Sequence, residues 1–222
     1  MEECGEDLPQ FLVMENVPLI HCKSNIKDFG EWIHFLDGLG YKSKWEDLNA
    51  LNFGIPQNRN RCFMVSWLAS ERSYMFPQND IPVRLLSDFL EKDAIKYKLS
   101  DSYLKCHMLN SQHQKEAGNG FEFKPITDPK HEIVGAITTK CGARMTDPFI
   151  QEKGYIRMLT EIECFQLMGV TKECAERMVA VNSRSQCVKQ AGNSIVVDVL
   201  MAIFRNLFDE NVPGQMTVFD YL

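Results

Sequence analysis

The stretch Asn52-Phe53-Gly54-Ile55-Pro56-Gln57-Asn58-Arg59-Asn60-Arg61-Cys62-Phe63-Met64-Val65 constrains the fold more than any other part of the chain. Gly54 and Pro56 punctuate a turn. Gln57, Arg59 and Arg61 then recur two residues apart and lead into an apolar run, Cys62 to Val65, whose length suits a buried strand. Side chains two apart on a strand share a face, so the amide and the two guanidiniums are expected to form one polar row at the mouth of a buried sheet. The rigid donor fork of arginine suits that row to anionic or hydrogen-bonding ligands. The plainer alternative is a solvated edge strand that opens with two arginines.

Elsewhere the pattern alternates between strand and helix. Phe11 to Val17, stopped by Pro18, reads as a buried strand of an α/β sheet. It carries Glu15 and Asn16 at its carboxyl end, where open α/β sheets bind ligands; the alternative is that Glu15 caps the next turn. Ile26, Phe29, Ile33, Leu36 and Leu39 have helical spacing, Gly40 stands where a left-handed cap belongs, and Trp32 and Phe35 are expected to pack. Tyr41 to Leu51 reads as the next strand. Glu71 to Pro82 is polar and linker-like, Leu85 to Leu90 a short helix, and Lys105 to Pro129 an irregular, loop-rich module with His107 and His113 on its surface. Val134 to Thr139 is rich in β-branched residues and reads as a strand.

Further along, Thr160-Glu161-Ile162-Glu163 is a capping box opening a helix that ends near Gly169, and a second helix is expected over Lys172 to Val181. Gln190-Ala191-Gly192-Asn193-Ser194 is expected to turn into the last helix, with Asn193 or Ser194 as its N-cap and an apolar face from Ile195 to Leu207.

Composition narrows the function classes. A formal charge of -6 argues against a chain that coats nucleic acid non-specifically, while leaving room for a local basic groove. No apolar run approaches the ~18 residues of a membrane span, and no signal peptide opens the chain, so a reduced, cytoplasmic setting is expected. None of the eight cysteines forms a CxxC pair; no metal site is expected, and most are read as small buried hydrophobes.

Four of these stretches together resemble the DNA cytosine-5 methyltransferases. Glu15-Asn16-Val17 is similar to the family's ENV motif, and Gln57-x-Arg59-x-Arg61 to its QxRxR motif. Arg157-x-Leu159-Thr160-x-x-Glu163, followed by Gln166-Leu167-Met168-Gly169, resembles the RxLTxxE element, with Met168 and Val170 departing from its usual residues. Gln190-x-Gly192-Asn193-Ser194-Ile195 resembles the closing QxGNSV motif. The gap between the second and third motifs, about Leu68 to Glu132, is where that family places its target-recognition region.

The resemblance implies a fold class: α/β, with a partial S-adenosylmethionine-dependent, Rossmann-like methyltransferase sheet plus a smaller, irregular target-recognition lobe. It implies domains at 1–68 (catalytic α/β lobe), 69–187 (target-recognition lobe and hinge) and 188–222 (closing helix returning to the catalytic lobe), with double-stranded DNA as the partner. It also implies roles. Glu15 would stand against N3 of a flipped cytosine, with Arg61 and Arg59 holding its O2 and backbone phosphate side, as catalytic residues. Asn193 and Ser194 would lie near the methionine part of the S-adenosylmethionine cofactor. Asn16, Gln57, Arg157, Gln190 and Gly192 would support the DNA contacts or the structure.

The family's FxGxG cofactor loop, its acidic ribose contact and its Pro-Cys-Gln nucleophile loop have no counterpart here, and Cys4 stands in an unlike context. The expectation is therefore a carboxyl-terminal subunit or fragment, inactive alone. A separate N-terminal half would complete it as a DNA-modifying enzyme of the restriction-modification type. The alternatives are a DNA-binding module without chemistry and a decayed gene fragment.

Overall fold

Three extended segments with alternating side chains build the main sheet of the computed structural model, which describes residues 7–68, 74–78 and 81–208. Strands β1 (Phe11–Asn16), β2 (Tyr41–Asn49) and β4 (Asn60–Leu68) run antiparallel in the order β1-β4-β2. The short β3 (Gln57–Asn58) belongs elsewhere. Cys4 and part of the expected linker at Glu71 to Pro82 lie outside the described residues.

The chain divides into two compact units, one of residues 1–49, 60–79 and 199–222, the other of residues 50–59 and 80–198. The chain enters the second unit at Ala50 and returns to the first at Asn60, between Arg59 and Arg61.

In the first unit, the register sets Asn16 and Asp47 on either side of Cys62, and Met14 and Trp45 on either side of Met64. Cross-strand partners share a face. That face packs against helix α1 (Ile26–Gly38) through a core of Phe29, Leu36, Tyr41 and Met64, with Leu12, Met14, Ile20 and Ile33 beside them. Gly40, at φ +90°, turns the chain out of α1 into β2, a conformation that a side chain disfavours. The other face buries Phe63, Val65 and Trp67. There Phe11 meets Phe208 edge-on, and the Tyr74 hydroxyl donates to the Ile203 carbonyl of helix α6 (Val197–Phe208).

β1 is an edge strand, not the fully buried strand its apolar run suggests: it pairs with β4 alone among the described residues, and Val13 is exposed. Trp32 and Phe35, expected in the core, instead stack on each other on the exposed side of α1. Phe29, Ile33 and Leu36 already fill the core side of a helix whose turn is 3.6 residues, leaving no core face for them.

Among the described residues the second unit has two-stranded pieces of sheet. β3 pairs in parallel with β5 (Val134–Gly135), and β6 (Phe149–Glu152) pairs antiparallel with β7 (Tyr155–Met158). The capping box at Thr160 is present and opens α3 (Glu161–Gln166); α4 (Lys172–Val181) follows with Thr171 as its cap. Arg157 on β7 reaches Glu163 through two parallel hydrogen bonds of 2.9 Å, and both side chains are fully buried. The remaining carboxylate capacity takes the N–H groups of Glu91 and Thr160. The RxLTxxE spacing is thus a structural lock, in which a bidentate pair is satisfied from all sides.

Four expectations depart from the structure here. The middle of the chain is not wholly irregular: α2 spans Asp101–Glu116, capped by the Ser100 hydroxyl. Its polar surface runs almost all round, so no apolar period marked it. His107, expected on the surface, is the buried residue of that helix, held among Tyr103, Phe123 and Phe149. Leu85 to Leu90 shortens to a 3₁₀ turn at Leu86–Asp88, and the strand expected to Thr139 ends at Gly135.

Burial lowers the His107 pKa, and neither ring nitrogen has a hydrogen-bond partner among the described residues. The unfolded chain, with an ordinary histidine near 6.5, then binds the proton first, so stability falls as pH drops below about 6.5. His107→Phe should raise stability by about 1 kcal/mol. It should also flatten the acid side of a melting-temperature profile, measured from neutral to mildly acidic pH.

Candidate functional site

The two arginines of the opening stretch do different work. Arg59 is 4% exposed. Its Nη1 donates to the Ile137 carbonyl at 2.9 Å, and its Nη2 to the carbonyls of Gly192 and Ser194 at 3.1 and 3.0 Å. Gln57, fully buried, donates to the Leu167 carbonyl at 2.7 Å and accepts the Ile137 N–H at 2.9 Å. These residues all belong to the second unit. The expected single row of ligand-facing side chains is therefore divided: two of its members are anchored on main chain in the interior.

Arg61 belongs to the first unit and is the member that meets Glu15. Its Nε lies 3.1 Å from Glu15 Oε1, with the two side chains 20% and 22% exposed. Glu15 stands opposite Phe63, two residues from Arg61, so both project from the sheet face away from α1. Arg61 Nη1 also donates to the carbonyl of Asn60. A carboxylate and a guanidinium held together at the end of two strands, both reachable from solvent, offer an acceptor and a donor fork side by side. Asn16 next to Glu15 is exposed and uses its side-chain oxygen to accept the Val17 N–H, which shapes the exit from β1.

The closing motif sits differently from the sequence expectation. Gln190 to Asn193 form the end of helix α5 (Arg184–Asn193), and Ser194 is its extended C-cap, so neither Asn193 nor Ser194 opens a helix. The N-cap instead is Ser183, whose hydroxyl accepts the Gln186 N–H, within a stretch that reads as merely polar. The run Arg184–Phe208 is long and apolar enough to cross a membrane by composition. It is nonetheless two helices separated by the extended Ser194.

Gly192 is required for another reason. A Cβ there would fall 2.3 Å from the Thr139 nitrogen and 2.4 Å from the Thr138 carbonyl carbon. Backbone meets backbone, and Arg59 then clasps the Gly192 carbonyl. Asn193 and Gln190 are exposed, and the Ser194 hydroxyl donates to Ala191. The exposed Asn193 amide offers two donors and an acceptor to a ligand.

Cys62 is fully buried, and its thiol is pushed up to about 12, first by burial and then by the Asp47 carboxylate beside it. It stays protonated at neutral pH and is no nucleophile. Of the other cysteines expected as buried hydrophobes, Cys141, Cys164 and Cys187 are buried, whereas Cys106 and Cys174 are exposed. A further cluster, His21, Asp47 and Cys62, whose ligand atoms lie within 4.8 Å of one another, has no signature in the local sequence. The three positions are distant in the chain: the β2–β4 register pairs Asp47 with Cys62, and His21 comes from the turn Pro18–His21 after β1.

The family profile described as C-5 cytosine-specific DNA methylase matches residues 5–209. The type II methyltransferase M2.ScrFI of Lactococcus lactis subsp. cremoris is 31% identical over 90% of this chain and 54% of its own length. M.MspI of a Moraxella species is 31% identical over 86% of this chain and 44% of its own length. The chain thus spans about half the length of these curated relatives. Among solved structures, the Entamoeba histolytica methyltransferase EhMeth superposes with a TM-score of 0.69 at 15% identity, covering 89% of this chain and 62% of that one. The S. pombe Dnmt2 methyltransferase gives 0.67 at 20% identity, covering 90% and 67%. These likenesses show the fold: α/β, with part of an S-adenosylmethionine-dependent methyltransferase sheet.

Gly192→Ala tests the close approach. In an ordinary helix interior the change stabilises by up to ~1 kcal/mol. Here it should destabilise by about 3 kcal/mol, because neither peptide can yield. Urea unfolding followed by circular dichroism reads the sign.

Proposed function

The chain belongs to the C-5 cytosine-specific DNA methylase family, and we propose on that premise that it is the carboxyl-terminal portion of a DNA (cytosine-5) methyltransferase. Its substrate is a cytosine flipped from double-stranded DNA, since neither C5 nor C6 can be engaged within the stack. The nucleophile and the cofactor loop come from an N-terminal half outside this chain. S-adenosylmethionine supplies the methyl group. A thiolate of the N-terminal half adds to C6, C5 gains the methyl group, and loss of the C5 proton with release of the thiolate restores the ring.

The observation that carries this reading is the Glu15–Arg61 pair. The Glu15 carboxyl group, set against N3, stabilises the charge that builds on the ring as the thiolate adds. Arg61 presents its remaining N–H groups to the cytosine O2 and the neighbouring phosphate. Arg59 is a positioning residue: it fixes the Gly192 and Ser194 carbonyls, and with them Asn193, toward the methionine end of the cofactor.

The need for a second half is supported by three features. The chain lacks a Pro-Cys nucleophile loop, and Cys62 is held as a buried thiol. β1 pairs with one strand only, β4, among the described residues. Beside it, Val17, Leu19 and Trp32 are exposed around a concavity of about 430 Å³ that Met14 and Phe29 also line. An open strand edge next to an apolar patch is a surface that further chain covers.

Mixing this chain with an N-terminal half carrying the cofactor loop and nucleophile should transfer labelled methyl groups to duplex DNA, where neither part does alone. Glu15→Gln in that mixture should lower the rate on the order of 10²-fold or more, without changing the melting temperature. A mixture that binds but transfers nothing contradicts the proposal, as does a Glu15→Gln variant at full rate.

A further inference from the structure

Away from the Glu15–Arg61 pair, on the opposite face of the same sheet, three side chains of different chemistry converge. His21 ends the 3₁₀ turn Pro18–His21 that follows β1. Its Nε2 lies 3.0 Å from Oδ1 and 3.1 Å from Oδ2 of Asp47. Asp47 on β2 is the direct cross-strand partner of Cys62 on β4, so the carboxylate and the sulfur share a face. The donor atoms of all three lie within 4.8 Å of one another.

We propose that His21, Asp47 and Cys62 form a binding site for a divalent first-row cation, zinc above all, with one coordination position left for water. The inference does not rest on the methyltransferase reading. The donor set combines imidazole, carboxylate and thiolate, the three ligand types that zinc takes from proteins, and excludes the all-oxygen shells of magnesium and calcium. The charges also close: one thiolate and one carboxylate against a dication make a neutral site, which suits a position where Cys62 is fully buried. Ordinary zinc bond lengths put tetrahedral ligand atoms roughly 3.5 Å apart. The His21–Asp47 separation is already shorter than that, and closing the rest takes movements of about an ångström at most.

Two further features fit a site and not a chance meeting. The imidazole is stacked on Trp45 at 4.6 Å between ring centres, and Trp45 packs edge-on against Phe29 of the core, so the ring is braced by a second layer. Access is one-sided. Cys62 is closed off from solvent, while His21 and Asp47 are 25% and 29% exposed, so an ion would reach the sulfur past the other two ligands. Bound there, the ion would tie the turn after β1 to β2 and β4 together. It would brace the strand end that carries Glu15 without touching that residue's face of the sheet. On binding, the Cys62 thiol loses its proton to solvent, and three coordinate bonds replace the hydrogen bonds among the three side chains.

The test uses the whole chain freed of metal with a chelator. Calorimetric titration with zinc should show one ion per chain and a raised melting temperature. Cobalt in its place should give the intense visible bands of tetrahedral coordination and a sulfur-to-cobalt charge-transfer band in the near ultraviolet. His21→Gln, Asp47→Asn and Cys62→Ser should each weaken zinc at least tenfold. Cys62→Ser should also remove the charge-transfer band. His21 and Asp47 are partly exposed, so their variants fold even if Cys62→Ser does not, and the cobalt spectrum of the unaltered chain stands apart from all three. Absence of saturable binding, a cobalt spectrum without the sulfur band, or equal affinity in the His21 and Asp47 variants overturns the proposal.

Discussion

Three main-chain carbonyls, of Ile137, Gly192 and Ser194, converge on one buried guanidinium, and the second unit is arranged around that convergence. Arg59 brings a fixed charge into the interior and turns it on these backbone dipoles. Buried acceptors of this kind cost about 1–3 kcal/mol each when left unpaired, so a single side chain here decides whether the end of α5 and the segment after β5 can be buried at all. Gln57 repeats the device with an amide, joining the same Ile137 segment to the end of α3. A side chain at Gly192 would push the two backbones apart and break the clasp. Three motif positions that look like ligand contacts in a one-dimensional reading are, in the folded chain, parts of one joint.

The first unit follows another logic. Its sheet is small, and both outer strands have an open edge among the described residues. The pair that faces solvent, Glu15 and Arg61, is satisfied by itself and by one neighbouring carbonyl. A partly exposed pair of this kind contributes at most ~1 kcal/mol to stability, which leaves it free to exchange its partner for a ligand. The division of labour is therefore physical. Arg59 is buried and locked, Arg61 is reachable and exchangeable, and one intervening residue separates them.

Much of this was legible where local chemistry decides structure. The capping box at Thr160, the helix at Lys172 to Val181 and the turn at Gly40 depend on residues a few positions apart, and all three appear as read. What escaped depends on partners far along the chain. α2 carries no apolar stripe, so nothing in its period distinguished it from loop, although Ser100 and Asp101 are a helix opening in miniature. Ser183 played the same part for α5, and overlooking it moved the closing motif from a helix end to a helix start. The inward turn of Gln57 and Arg59 has no local sign, because their acceptors lie eighty to more than a hundred residues away. The cluster of His21, Asp47 and Cys62 has none either, since strand register and the turn after β1 assemble it.

The division between the two arginines is the claim on which the rest turns, and substituting lysine at each in parallel tests it most directly by thermal unfolding of the whole chain. Lysine keeps the charge but loses the fork. Arg59→Lys should strand buried carbonyls and lower stability by about 3 kcal/mol, or on the order of 10 °C in melting temperature. Arg61→Lys should leave the melting temperature within about 2 °C of the unaltered chain. Equal, small shifts for both, or a larger loss for Arg61→Lys, would contradict the account.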